Sequence, residues 1–173
     1  MKSLVAAAVL AVAGAHPAWA LGERPFVTFD AAKDAVVLAR AGQAARIVVD
    51  RDDFPGVRRA AADLQGDIAR VSGTRPALLD AGGAVARGGD VVIVGTLGKS
   101  ALVDRLAREG KIDAKRLRGK WEGYLVQAVR NPLPGVARAL VVAGSDKRGT
   151  IYGLYTVSEQ IGVSPWNWWA DVP

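Results

Sequence analysis

The sequence predicts an α/β layered domain in which a mixed sheet of about five strands is flanked by helices. Two runs, 90–94 and 139–143, are almost wholly apolar, which is typical of strands buried on both faces. Stretches with a helical spacing of apolar residues alternate with these and other short strand-like runs. Half of the 173 residues are apolar and 23% are charged, which favours a globular chain over a disordered or fibrous one.

The first twenty residues have the pattern of a secretory signal peptide. Lys2 precedes an apolar run at 4–13, and Ala18-Trp19-Ala20 is a small-x-small cleavage site. The apolar run is too short to cross a membrane. We expect cleavage after Ala20, a secreted or periplasmic protein, and no association with the membrane.

Several kinds of chemistry are excluded by composition. The chain has no cysteine, and its one histidine, His16, lies in the segment expected to be removed. Residues 21–173 therefore lack the thiol or imidazole that many catalytic triads and zinc sites require. No metal or cofactor is expected. Basic residues are spread along the chain, and the densest run, 111–120, is interpreted as a solvated face, so no nucleic-acid partner is expected.

The first elements of the mature chain are short. Runs at 26–29 and 36–39, separated by a turn at 30–34, predict an opening hairpin, and 45–49 predicts the next strand. The following acids lead into Pro55, which is a good first helical residue after an acidic N-cap; these acids are Asp50, Asp52 and Asp53.

The clearest element is the helix that follows. Its apolar residues recur at spacings of four and three, which places them on one stripe. Gly73 is the expected helix end, and Pro76 prevents continuation. The stripe comprises Val57, Ala61, Leu64, Ile68 and Val71.

The second half of the chain repeats the alternation. It begins with a short predicted strand at 77–79 and a glycine-rich loop at 81–89. The buried run 90–94 and a helix at 99–109 follow. Two more strands come next, and the short Pro-Gly turn between them predicts that they are antiparallel. The helix at 99–109 should direct Leu102, Leu106 and Val103 inward. The two strands are 121–129 and 139–143, with the turn at 131–135. The last helix ends at Gly162, and its inward face should be Ile151, Leu154, Tyr155, Ser158 and Ile161.

A phosphate-binding loop is suggested by Gly95-Thr-Leu-Gly-Lys-Ser100, which follows a strand and precedes a helix. The motif requires a glycine where this sequence has Ile93, so the loop is two residues too short to surround a phosphate. We interpret the segment as a tight turn with Ser100 near the helix start.

A second strand-to-helix junction, 144–150, lies where open α/β sheets bind ligands. Amides at a helix start favour anions, and Lys147 and Arg148 add charge suited to a carboxylate. The alternative is that Ser145 or Asp146 only caps the helix. Both interpretations stay open at this point.

Two further features stand near the C-terminus. Glu159 lies four residues after Tyr155, where it is either a sheltered acid or an ordinary solvated side chain. Asp171 follows two tryptophans and could serve as a polar group in a cleft for sugars. The final ten residues hold Trp166, Trp168 and Trp169, which either fold back on this domain or pack against a continuing chain. We favour the second arrangement.

The segment 144–173 resembles the N-terminal domain of glycoside hydrolase family 115, the xylan α-1,2-glucuronidases. The earlier segments 47–56, 94–100 and 131–135 agree with this resemblance, which covers nearly all of 23–173. The last thirty residues are its specific part.

The resemblance implies a longer enzyme. In this family an α/β domain, here 21–163, precedes a (β/α)8 barrel that carries the principal catalytic carboxylates, and 164–173 would begin the connection to it. Such enzymes remove glucuronic or 4-O-methylglucuronic acid from xylan with inversion and need no cofactor. We therefore expect a truncated, non-catalytic chain that is inactive alone and meets glucuronoxylan or uronic-acid-bearing oligosaccharides through the missing barrel. No catalytic residue is assigned, and the expected substrate contacts are Lys147, Arg148, Glu159 and Trp166.

Two other classes of function stay open. A stand-alone carbohydrate-binding module would use the C-terminal tryptophan cluster as its platform. An anion- or nucleotide-binding α/β domain would use the strand-to-helix junctions.

Overall fold

A computed structural model describes residues 25–30, 32–81 and 88–163. The predicted signal peptide, most of the glycine-rich loop and the tryptophan-rich end lie outside these ranges. The elements are β1 (Ala39–Arg40), β2 (Gln43–Ala44), β3 (Arg46–Val49), α1 (Pro55–Ser72), β4 (Leu78–Asp80), β5 (Val91–Thr96), α2 (Ala101–Arg108), a 3₁₀ turn (Ala114–Arg116), β6 (Tyr124–Leu133), β7 (Val136–Gly144) and α3 (Lys147–Gln160).

The predicted mixed sheet of five strands is confirmed. Its order is β4-β3-β5-β7-β6, and the first four strands in this order run parallel. Only β6 is antiparallel, paired with β7 through the Pro134-Gly135 turn. β5 lies at the centre, with Ile93 opposite Val48 on one side and Val141 on the other.

Helices cover both faces of this sheet. Alternate residues of the central strands, such as Ile47, Val92 and Val142, share a core with α1 and α3. Their neighbours, such as Ile93 and Val141, share a second core with α2 and with Ile112 and Leu117, which lie on either side of the 3₁₀ turn. Because successive side chains of a strand point to opposite faces, two covered faces require continuous apolar runs. This accounts for the composition of β5 and β7.

α1 follows its predicted stripe except at the last turn. Val57, Ala61, Leu64 and Ile68 are buried, whereas Val71 is 43% exposed. Val71 borders an open hollow under residues 26–40 and is not covered by the sheet. Gly73 ends the helix in the left-handed conformation, with φ of 72°, and its N–H donates to the carbonyl of Ala69.

The predicted acidic N-cap of α1 is wrong. The capping position is Phe54, which makes no side-chain cap, and Pro55 takes the first helical position. Pro55 has no N–H, so the first turn has one fewer donor to satisfy. The carboxylate of Asp53 instead accepts from the N–H of Thr96 at the end of β5.

The predicted opening hairpin is also wrong in position. Residues 26–29 form no strand, and the hairpin is made by β1 and β2. Ala41 and Gly42 connect these strands, both with positive φ, as a tight two-residue hairpin turn requires. Val27 and Val36 pack against the core below, so the apolar residues of this segment cover α1 instead of pairing as strands.

α3 presents a different face from the predicted one. Tyr155 is 47% exposed, whereas Gly149, Thr150, Gly153 and Val157 are buried along with Leu154 and Ser158. A Cβ at Gly153 would lie 2.9 Å from a methyl carbon of Val142. The small residues let the helix lie close to the sheet, so the large aromatic side chains turn outward.

β6 begins later and ends later than predicted, at Tyr124 and Leu133. The segment that precedes it packs beside it. The Gln127 amide donates to the carbonyl of Lys111 and accepts from the N–H of Asp113, while Lys111 Nζ donates to the carbonyl of Pro132.

Candidate functional site

The carboxyl ends of β3, β5 and β7 meet at one edge of the sheet. α1 leaves β3 toward one face and α2 leaves β5 toward the other, so the crevice between these strands is the switch point of the topology. Ligands of open α/β sheets bind in such a crevice. The residues that border it follow the strands directly, in the segments 50–54, 97–101 and 145–150.

Two buried carboxylates occupy the crevice. Asp50 accepts from the N–H groups of Asp52 at 3.2 Å and Ala101 at 3.0 Å. Asp53 accepts from the N–H groups of Phe54 at 2.7 Å and Thr96 at 2.6 Å. Every carboxylate oxygen thus has a backbone donor, and the acids join β3 to β5 and α2. Their role in this chain is structural.

The start of α2 is a tight turn, as predicted. A Cβ at Gly95 would lie 2.6 Å from Ser100 Oγ, so the strand end and the helix start touch. Ser100 caps α2 by accepting from the N–H of Val103, and Asp50 accepts from that of Ala101. The donors that would face a phosphate therefore already have acceptors.

The start of α3 is capped by Asp146, which confirms the capping alternative for this junction. One of its oxygens accepts from the N–H of Gly149 at 2.9 Å and the other from that of Glu122 at 2.6 Å. Burial acts to raise the pKa of the Asp146 carboxyl, but these backbone donors outweigh it, so the pKa lies below its ordinary value. Because Asp146 already accepts from these backbone N–H groups, an anion at this junction would have to be bound by side chains.

Lys147 and Arg148 lie at this edge with different surroundings. Arg148 forms an ion pair with Glu122 at 2.9 Å, donates to the hydroxyl of Tyr152 at 2.8 Å and lies over its ring. These contacts raise the pKa of Arg148, the Tyr152 bond foremost. Lys147 is exposed and has no ion-pair partner in the described ranges. Both cations are open to solvent, and only Arg148 is held in place.

The other predicted contacts are not part of this cluster. Glu159 is exposed, which agrees with the second of its two interpretations, an ordinary solvated side chain. It lies twelve residues after Lys147 on α3, about 18 Å away along the helix axis. Trp166 and Asp171 lie outside the described residues. The structure thus brings together Lys147 and Arg148 but not Glu159.

A hydrogen bond between two threonines joins α3 to the central strand. Thr96 Oγ1 and Thr150 Oγ1 are 2.8 Å apart and buried, and Thr150 also donates to the carbonyl of Asp146. Sequence reasoning missed this pair although each threonine lies in a strand-to-helix junction considered above, because the bond joins two junctions that are 54 residues apart in sequence.

Replacing Thr150 by valine is expected to lower the free energy of unfolding by about 1–2 kcal/mol, because Thr96 Oγ1 then stays buried without a partner. In the double variant T96V/T150V the loss should be less than the sum of the two single losses, by about 1 kcal/mol. Denaturant unfolding of the three variants measures this coupling. Strict additivity would show that the bond does not stabilise the fold.

No helix in the described ranges is both long enough and apolar enough to cross a membrane. The same residues contain no group of three or more side chains able to hold a metal ion.

Comparison with known proteins supports a carbohydrate-active relationship. No protein-family model matches the chain, and no curated protein matches it. Among solved structures, the chain is similar to BtGH115A, a family 115 4-O-methyl-α-glucuronidase described as specific for decorated arabinogalactans, with 33% identity and a TM-score of 0.56. The match covers 73% of this chain and 15% of that enzyme. The chain therefore contains a domain related to part of a glycoside hydrolase.

Proposed function

We propose that this chain is the non-catalytic, N-terminal α/β domain of a secreted glycoside hydrolase that acts on uronic-acid-bearing glycans. The observation that carries the proposal is the 33% identity to a 4-O-methyl-α-glucuronidase over 73% of this chain. Because the match spans 15% of that enzyme, the catalytic groups are proposed to lie on a following barrel.

The carboxylates at the carboxyl edge of the sheet favour a supporting role for this domain over a catalytic one. Glycoside hydrolysis requires two carboxyl groups on either side of the scissile bond. The buried acids of the crevice, Asp50 and Asp53, have backbone donors on all four oxygens. These bonds hold both buried side chains in place between the strands, which supports a structural role for them.

The cations at the start of α3 are the proposed substrate contacts. Lys147 and Arg148 are exposed at the carboxyl edge and suit the carboxylate of a uronic acid. Glu159 is proposed to touch a different part of the ligand or the following domain, because it lies at the other end of α3. Trp166 is proposed to belong to the same contact with the following domain.

Export is part of the proposal. The pattern of the first twenty residues supports cleavage after Ala20, which would place the domain where plant polysaccharides are degraded.

A domain exchange tests the proposal. The matched segment of the solved glucuronidase is deleted, or replaced by residues 21–173 of this chain, and release of 4-O-methylglucuronic acid is measured. We expect no release by this chain alone, loss of activity on deletion, and substantial recovery in the chimera. In the chimera, K147A/R148A should lower kcat/KM by about tenfold, the loss expected for a charge-assisted contact.

The matched control is R40A/R58A, which removes two exposed arginines from other elements. It should leave kcat/KM unchanged. Activity of the isolated chain, or a folded chimera no more active than the deletion, would contradict the proposed function.

A further inference from the structure

Trp121 stands out on the surface of the described residues. Its side chain is 83% exposed, whereas each of the other large apolar side chains on this surface is less exposed. An indole buries about 200 Å² when it finds a partner, so an exposed one on a rigid turn indicates a contact surface.

The backbone beneath Trp121 is fixed at several points. Glu122 adopts a positive φ of 53°, which is uncommon for a residue other than glycine. Its N–H donates to Asp146 and its carboxylate pairs with Arg148. The N–H of Gly123 donates to Ser145 Oγ at 3.0 Å. The turn that carries the indole is thereby held against the start of α3.

Four cations precede the indole in the same compact segment. Ile112 and Leu117 belong to the core on the α2 side and hold the segment against it, whereas the four cations are exposed. None of the four has an ion-pair partner within the ranges that the structure describes. They are Lys115, Arg116, Arg118 and Lys120, all exposed.

Lys115 and Arg118 line one shallow hollow of about 460 Å³. Asp113 is the carboxylate that borders it, so the hollow carries a net positive charge. Arg148 contacts the same turn, because it forms an ion pair with Glu122, the residue that follows Trp121.

We propose that these residues, Lys115, Arg116, Arg118, Lys120 and Trp121, form a binding surface for an acidic polysaccharide. We call them the basic platform. The C–H faces of sugar rings stack on an exposed indole, while the cations meet the carboxylates along the polymer. This goes beyond the proposed function, because the platform would hold the polymer and not the sugar that is removed. It requires no catalytic domain.

Nucleic acid is the other polyanion that an indole beside cations could bind. The observations favour the glycan, because the domain that carries the platform is similar to part of a glucuronidase. Nucleic acid is therefore an outcome of the test.

Affinity electrophoresis of the full chain tests the platform. The gels contain polygalacturonate, the same polymer after carboxyl reduction, or poly(dT). We expect retardation by polygalacturonate, little by the reduced polymer, and a loss of binding between about 0.01 M and 0.1 M salt, because the Debye length falls from about 30 Å to about 10 Å. K115E/R118E should weaken the affinity for polygalacturonate by about tenfold, and W121A by a similar factor.

The control R40E/R58E reverses the same number of exposed charges elsewhere and should bind like the parent at a salt concentration at which the parent is still retarded. W166A distinguishes the C-terminal tryptophan cluster, which the proposal does not use. The inference is overturned if K115E/R118E and R40E/R58E behave alike, if W166A abolishes binding and W121A does not, or if poly(dT) binds more tightly than polygalacturonate. Circular dichroism confirms that each variant is folded.

The outcomes of the affinity electrophoresis can be distinguished from those of the domain exchange. A chimera that regains activity while the isolated chain binds no acidic polymer would support the proposed function and refute the platform.

Discussion

Alanine at position 149 is expected to lower the free energy of unfolding by about 3 kcal/mol, the upper part of the usual range for overpacking. Gly149 begins α3 directly against the turn that carries Trp121. A Cβ there would overlap the carbonyl oxygen of Gly123 and lie 2.9 Å from its carbon and 3.0 Å from that of Glu122. All three atoms belong to the backbone, and Glu122 is already held by Asp146 and Arg148. Neither the turn nor the helix can therefore move apart without a large loss of stability.

Gly66 provides the matched control. It lies inside α1, and a Cβ there meets nothing within 4 Å. G66A should therefore raise the free energy of unfolding by about 0.5–1 kcal/mol, because alanine has the higher helix propensity. Thermal unfolding followed by far-ultraviolet circular dichroism measures both, with about 2–4 °C expected for each kcal/mol at this chain length. Equal melting temperatures for G149A and G66A would refute the close approach of α3.

Asparagine in place of Asp53 is expected to lower the free energy of unfolding by about 2–3 kcal/mol. Both carboxylate oxygens accept backbone N–H groups, from Phe54 and Thr96. An amide has one oxygen and one NH₂ group, so in either orientation it places a donor against a donor in a buried site. The shape of the side chain is unchanged, which leaves the hydrogen bonds as the cause.

D52N is the control for this substitution. Asp52 is exposed, and its change to asparagine should alter the free energy of unfolding by less than about 0.5 kcal/mol. Urea titrations of the two variants give the comparison. If D53N is as stable as D52N, then Asp53 does not lock the crevice between β3 and β5.

The layered fold could be predicted because its strongest determinants are local patterns. The continuous apolar runs of β5 and β7 and the stripe of α1 report burial directly, and Gly73 reports a helix end. The antiparallel pairing of β6 with β7 follows from the short connection between them. These features require no knowledge of distant residues.

The predictions are wrong where a contact with a residue distant in sequence determines the local structure. The position of Asp53 in the sequence suits a cap of α1, but its carboxylate accepts a hydrogen bond from the N–H of Thr96, forty-three residues later. Tyr155 has the apolar character of a core residue, but the glycines of α3 let the backbone approach the sheet and turn the ring outward. A glycine at each of positions 149 and 153 was the available signal for that face.

The location of the candidate site could be predicted from the sequence, but the side chains that fill the crevice could not. The rule for open α/β sheets identifies the carboxyl edge, and Lys147 and Arg148 do lie there. Asp50 and Asp53 fill the crevice because they form hydrogen bonds with a segment distant in sequence, which no local pattern reports. The predicted strand 121–129 includes Trp121, whereas the strand begins only at Tyr124.

The segment that lies along β6 has a consequence for self-association. A ten-residue strand at the border of a sheet offers unpaired amides and carbonyls to any other chain in an extended conformation. Here Lys111, Asp113 and the Gln127 amide hold a neighbouring stretch beside that border, and Lys111 donates to one of its carbonyls, that of Pro132. At the opposite border, β4 is only three residues long. We therefore expect both margins to be poor templates for strand addition, one because a neighbouring segment hinders access and the other because it is short, which would disfavour intermolecular β-pairing and amyloid-like growth.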